Sequence, residues 1–307
     1  HCNRKRWWWH NRTSLWILIM KYYKQIILAI FFVLPTNNIF AACSGAECCP
    51  VSSGVVTLAN DSGCAIEPDS YSIKMFKMYL CTSAPSAPTA AAVTGYSDAG
   101  CVQVLDAPSG SQVTMTPGGS AQAFAGATFT RPPNDTYTHG VMLLDNIFTI
   151  SMDREFSATL TGGSSGEGKY CATVAGSADE TTGGSVVCSA TDNLTAGSWG
   201  AILTSFDGLN SADYDVTALN LNGTGNDISG YLVTSAEQLT TSRGAVTDLI
   251  GIQTFATPVV ITKNFSGLNI AFGINQGSTI WDDEAGEDTT IEAGSGPFMA
   301  IITPLNY

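Results

Sequence analysis

The sequence predicts an all-β fold of the antiparallel β-sandwich type, one elaborated or two sandwich-like domains, stapled by disulfides. Three observations predict it. Short runs rich in Val, Ile, Thr, Tyr and Phe recur at roughly eight- to twelve-residue spacing, with Gly, Asn, Asp, Ser and Pro between them. Only 13% of the 307 residues are charged, so the Lys, Glu and Arg that coat surface helices are scarce. Of the nine Cys, all but Cys2 follow residue 41, an even set that suits disulfides in an oxidising compartment.

The charge divides the chain. Residues 1–41 hold Arg4, Lys5, Arg6, Arg12, Lys21 and Lys24 and no acid, which leaves seven of the 13 basic residues to face all 26 acids afterwards. From Met20, a basic n-region (Lys21, Lys24), an apolar run over 26–34 and a polar stretch ending in small residues follow the plan of a secretory signal peptide, with cleavage expected after Ala41. The apolar run is too short to span a bilayer, so no transmembrane anchor is expected after cleavage. Residues 1–19 read as translated upstream sequence. Phe40-Ala41-Ala42-Cys43 is close to a lipobox, but lipidating Cys43 would leave an odd thiol count, which favours a disulfide there. The expected divisions are thus 1–19 upstream, 20–41 signal peptide, 42–67 a Cys-rich cap, 68–160 a sandwich-like region and 161–307 a second β-rich region, separate or part of the same domain.

Within 42–307 the cysteines are Cys43, Cys48, Cys49, Cys64, Cys81, Cys101, Cys171 and Cys188. Cys171 and Cys188 flank a polar segment with strand-like ends, which reads as a stapled hairpin. Cys81 and Cys101 flank a segment of loop composition. Cys48 and Cys49 are adjacent, and a ring between neighbours is strained, so they reach for Cys43 and Cys64 in an order the spacing leaves open. Zinc would want His partners or paired CxxC motifs, and neither is present.

Taken in order, strands are expected over 54–59 and 71–81, the second placing Tyr71, Ile73 and Met75 on one face, then Lys77 and Tyr79. Further strands follow over 101–105, 112–115, 123–130, 136–144, 147–152, 156–160, 170–174, 184–188, 201–206, 214–221 and 231–234. The tail adds 259–262, 268–274, 289–292 and 298–303. Residues 235–249 are the one stretch that suits a short helix, weakened by Gly244. The glycine-rich 161–168 reads as a flexible boundary or a long loop. The apolar end, 296–307, reads as a strand completing this chain's own sheet or a neighbour's.

Chemistry is sparsely signalled. His139 is the single His after residue 41, and no GxSxG elbow accompanies it, so no catalytic residue is assigned. The densest acidic run, with Asp282, Asp283, Glu284, Glu287 and Asp288, is a candidate for calcium, but its spacing is not that of an EF-hand, and a solvated hairpin tip is the plainer reading. Asp207–Asp215 and Asn222–Asp227 are weaker versions of the same pattern. Nucleotide-binding glycine motifs are absent, no cofactor is expected, and the acidic balance opposes nucleic-acid binding.

The composition resembles that of bacterial surface and appendage proteins as a class. The expected role is therefore an exported, non-enzymatic structural or adhesive protein of the cell surface or extracellular space: a surface-layer or appendage subunit, or an adhesin. Its expected partners are further copies of itself or other surface proteins. The alternative is a secreted β-sandwich module that binds a glycan or another ligand, with calcium as a candidate support. An exported hydrolase ranks last.

Overall fold

A computed structural model describes residues 48–58, 63–118, 122–179, 183–206, 213–218, 221, 224–282 and 290–307. The leader, the cleavage point at Ala41 and Cys43 lie outside them. The fold is all-β.

One sheet has eight strands: β1 (Val51–Ser52), β2 (Val55–Val56), β3 (Cys64–Ile66), β9 (Asp153–Gly162), β10 (Glu167–Thr173), β12 (Val186–Ser189), β18 (Ser278–Asp282) and β19 (Thr290–Ser295). The other has ten: β4 (Ser70–Cys81), β5 (Cys101–Met115), β6 (Thr128–Phe129), β7 (Asp135–Asp145), β8 (Ile147–Ser151), β11 (Gly176–Asp179), β13 (Trp199–Ile202), β14 (Asp215–Ala218), β15 (Asp227–Val233) and β16 (Asp248–Ile261). A separate pair joins β17 (Phe265–Gly273) to β20 (Met299–Asn306). Strands from both sides of residue 160 share each large sheet, and the short strands of the Cys-rich cap pair with β9 and β18.

The two sheets meet over one core. The smaller contributes Val56, Ile66, Phe156, Leu160, Val186 and Ile280, and the larger Tyr71, Ile73, Met75, Met78, Leu80 and Ile150. Burying each such side chain stabilises by about 1.5–3 kcal/mol, which offsets the ordering of long strands. Two of the places where the chain crosses between the large sheets, β3 to β4 and β8 to β9, adjoin each other, and Arg154 ties them. Its guanidinium lies 2.6 Å from the Asp69 carboxylate and donates to the Glu67 carbonyl at 2.6 Å, while Asp153 N–H donates to Asp69 at 2.9 Å.

The expected alternation along 71–81 holds only as far as Met75. The pairing register shifts between Met75 and Lys77 against both neighbouring strands. This bulge resets the phase, so that Met78 and Leu80 join Tyr71, Ile73 and Met75 in the core, while Tyr79 packs with the cluster on the opposite face. The two short strands expected at 101–105 and 112–115 are one strand, β5. It remains continuous because Gly110, at φ +76°, absorbs an irregularity opposite the β4 bulge. Of the expected strand 123–130, only Thr128–Phe129 pairs.

Residues 235–249 do not form a helix. They hold a single 3-10 turn at Arg243–Ala245 before β16 begins at Asp248. The hydroxyls explain why: Thr240 Oγ donates to the Ser242 carbonyl and accepts from Ser242 N–H, which competes with helical bonding. The segment is also laced to β15 through Thr240 N–H to Leu232 and Thr247 N–H to Val233.

The glycine-rich turn of β9–β10 is closely held rather than loose. Gly162 N–H bonds the Gly166 carbonyl, Gly163 N–H that of Ile291, and Ser164 N–H that of Val186. The disulfides follow the expected spacing. Cys81–Cys101 and Cys171–Cys188 each join residues opposite one another in register, and Cys49 pairs with Cys64. Cys48 is disulfide-bonded as well. The apolar terminal strand pairs with β17 of its own chain. Gln253, 1% exposed, grips it from the side: its amide donates to Ala300 O and accepts from Ala300 N–H, both at 2.9 Å.

Candidate functional site

The larger sheet has an unusual inner face where β4, β7, β16, β15 and β14 lie side by side. Register places residues in rows across these strands. One row reads Met75, Leu144, Leu249, Leu232, and another reads Leu80, Gly140, Gln253, Ile228, Ala218. The row between them reads Met78, Met142, Gly251, Gly230, Val216. Two glycines thus sit next to each other in neighbouring strands, and a trough opens where side chains would stand.

The glycines do different things. A Cβ on Gly230 would approach Phe206 Cζ to 3.1 Å, so this glycine makes room for the Phe206 ring. A Cβ on Gly251 would meet nothing nearer than Met142 Cε at 3.9 Å, so this one leaves open space. The trough forms the floor of a cleft of about 610 Å³ between this wing of the sheet and the β18–β19 hairpin. That volume is in the usual range for small-molecule sites.

The walls are mostly apolar and aromatic. Tyr71, Phe148 and Phe298 close one end, with ring centroids 5.5–6.2 Å apart, and Tyr71 OH donates to the Gly296 carbonyl at 3.2 Å. Trp281 and Thr279 line it from β18, and Leu203, Thr204, Ser205 and Phe206 line it from the segment after β13. Among the described residues Asp179 is the one carboxylate in the lining. The parallel pairing of β11 with β13 brings it beside Thr204, whose hydroxyl donates to Asp179 Oδ2 at 2.6 Å. An apolar cavity with a few convergent polar groups is the arrangement expected of a binding site.

His139 is not among the lining residues of the cleft. It stands opposite Cys81 in the β4–β7 register, and its Nδ1 is 2.8 Å from Thr138 Oγ. Burial lowers its pKa from the ordinary imidazole value. The unfolded chain therefore takes up this proton more readily than the folded one. Stability is expected to fall as pH drops through the imidazole range, from about 7.5 to about 5.5. His139→Asn should flatten that part of the slope in urea unfolding, and an unchanged slope would refute the burial account. Burial holds the carboxyls of Asp248, Asp153 and Glu67 above their ordinary values, and these act in the opposite sense lower on the pH scale.

Among the described residues no group of three or more His, Cys, Asp or Glu is placed to hold a metal ion. Asp282 ends β18, and Asp283, Glu284, Glu287 and Asp288 lie outside the described residues, as does the side chain of Asp282. The cleft is a site that reading by motif does not find. Its one local signal is an isolated Gly inside each of two strand patterns, Ile228-Ser-Gly230-Tyr and Leu249-Ile-Gly251-Ile. Among the described residues no helix is long and apolar enough to cross a membrane. No protein family, curated protein or solved structure matches the chain in comparison.

Proposed function

We propose that this protein is an exported β-sandwich that binds a small, mainly apolar molecule in the cleft over Gly230 and Gly251. The cleft itself supports this reading: about 610 Å³, walled by aromatic and aliphatic side chains, with its floor formed by two register-adjacent glycines. A sandwich without a ligand would gain stability by filling that row with larger side chains, since interiors are close-packed. The disulfides, each joining register partners of a strand pair, suit an oxidising compartment.

Gly251→Leu tests it. The backbone there is ordinary strand, and the added side chain enters open space. The variant should stay folded with stability unchanged or raised by about 1 kcal/mol. It should also lose the calorimetric binding of apolar probes expected of the natural chain. Equal binding by both proteins, or none by the natural chain, would sink the reading.

A structural or adhesive role is the second reading. Among the described residues, edge strand β14 pairs only with β15 and presents Val216, and Leu305 at the end of β20 and Tyr307 after it are exposed. Such edges invite strand pairing between copies. Regular oligomers in light scattering and negative-stain images would support it, and a clean monomer would remove it.

A further inference from the structure

We infer that Asn134, Asn193 and Asn264 are N-glycosylation sites; this rests on the reading of the chain as exported and not on the cleft. Five Asn-x-Ser/Thr triplets follow residue 41, at Asn60, Asn134, Asn193, Asn222 and Asn264. The triplet is the acceptor for N-linked sugar in exported chains, and a bulky sugar asks for a surface position. Asn60 and Asn222 lie outside the described residues. Asn134, Asn193 and Asn264 are all exposed, and so are the hydroxyl residues two places on, Thr136, Thr195 and Ser266. The remaining described asparagines sort differently. Asn146 and Asn275 are buried, Asn226 and Asn269 are half-buried, and Asn306 is exposed. Triplets arising only from abundant Ser and Thr would fall on both kinds of position.

The local fold suits the modification. Asn134 immediately precedes β7, Asn264 immediately precedes β17, and Asn193 sits in the loop between β12 and β13, so no strand ladder holds them. None of the three is among the residues lining the cleft. In Asn134 and Asn193 the amide oxygen takes the hydrogen bond, from Arg131 at 2.6 Å and from Ser189 Oγ at 3.1 Å. Glycosylation uses the amide nitrogen, so neither bond opposes it. The co-substrate is an oligosaccharide carried on a lipid phosphate. A bond forms between the Asn nitrogen and the sugar's anomeric carbon, the bond from that carbon to the phosphate oxygen breaks, and the lipid phosphate leaves as one amide proton is lost. Nothing is oxidised or reduced. Arg131 also donates to the Thr262 carbonyl, which brings Asn134 and Asn264 to one end of the fold. The Asn264 carbonyl accepts from Tyr307 N–H at 3.0 Å, so sugar at Asn264 adds solubility beside the exposed end of the terminal strand.

Peptide mass spectrometry of the full chain, isolated as its own cells export it, tests the assignment with a search open to any sugar mass on Asn. Sugar is expected on Asn134, Asn193 and Asn264, with Asn146, Asn269 and Asn275 bare. Thr136→Ala, Thr195→Ala and Ser266→Ala should each remove one sugar chain from the intact mass, while Thr195→Ser keeps it. The same digest reads the amino terminus. Bare sites in a chain cleaved after Ala41 overturn this assignment and leave the export reading intact. Bare sites in an uncleaved chain overturn both. Sugar that persists after loss of the hydroxyls shows a modification that ignores the triplet, and also overturns it.

Discussion

Glu292→Ala is expected to destabilise the fold by about 3–5 kcal/mol, because two buried donors and one half-buried donor would lose one acceptor. Glu292 is 2% exposed on β19. Its carboxylate accepts from Gly184 N–H at 2.5 Å, Ser185 N–H at 2.7 Å and Ser185 Oγ at 2.5 Å. The sequence supplies this cradle through Gly183 and Gly184, both at positive φ, +68° and +86°. That conformation turns successive amides toward an anion, and a side chain there would be strained. Gly163 completes it, since a Cβ at that position would overlap the carboxylate. The Ser185 hydroxyl in turn accepts from Ala293 N–H at 2.7 Å, so the network returns to the strand it started from. Glu292→Gln keeps the shape and one acceptor oxygen but turns an amide toward a donor, and should cost about 1–2 kcal/mol. Urea unfolding of the two variants checks both figures. A loss under about 1 kcal/mol for the alanine would mean that water replaces the carboxylate at little cost.

Removing the Cys81–Cys101 bond by double alanine substitution is expected to cost about 3 kcal/mol, from the freedom regained by the unfolded loop. The bond spans a sequence separation of 20 and closes residues 82–100 over the outer face of the larger sheet. There a second apolar cluster holds Ala99 against Val141, Leu143, Val233, Ile250 and Ile252. Tyr96 stacks on Tyr79 with centroids 4.3 Å apart, and its hydroxyl donates to Glu237, which also pairs with Lys77 at 2.6 Å. Without the staple these contacts must hold the loop alone. Amide exchange in 82–100 should then rise well above that of the β9–β10 hairpin, which keeps its own bond at Cys171–Cys188. Unaltered protection of the loop would show that packing, rather than the crosslink, keeps it in place.

These cases separate what local pattern carries from what it does not. Strand identity was readable where β-branched and aromatic residues alternate between turn residues in 136–144 and 268–274, because the two-residue period is a property of the local chain, whereas of 123–130 only Thr128–Phe129 pairs. The staples Cys81–Cys101 and Cys171–Cys188 were readable because each pair flanks a single loop-like segment. Bulges were harder. The step of three from Met75 to Met78 is visible as apolar spacing, yet it becomes a bulge only when both neighbouring strands shift with it. The stretch 235–249 misled because it is the one segment that suits a short helix, while its Thr240 and Thr247 hydroxyls bond the backbone instead.

The sequence by itself determined the all-β class, most strand positions and two staples, all consequences of periodicity and short-range closure. Only the tertiary structure decided the cleft. Gly230 and Gly251 become neighbours through the β15–β16 register, and Asp179 reaches Thr204 through the parallel pairing of β11 with β13. Register is a long-range property, chosen by the burial of whole strand faces, and a one-residue slip would turn both glycines away from the core.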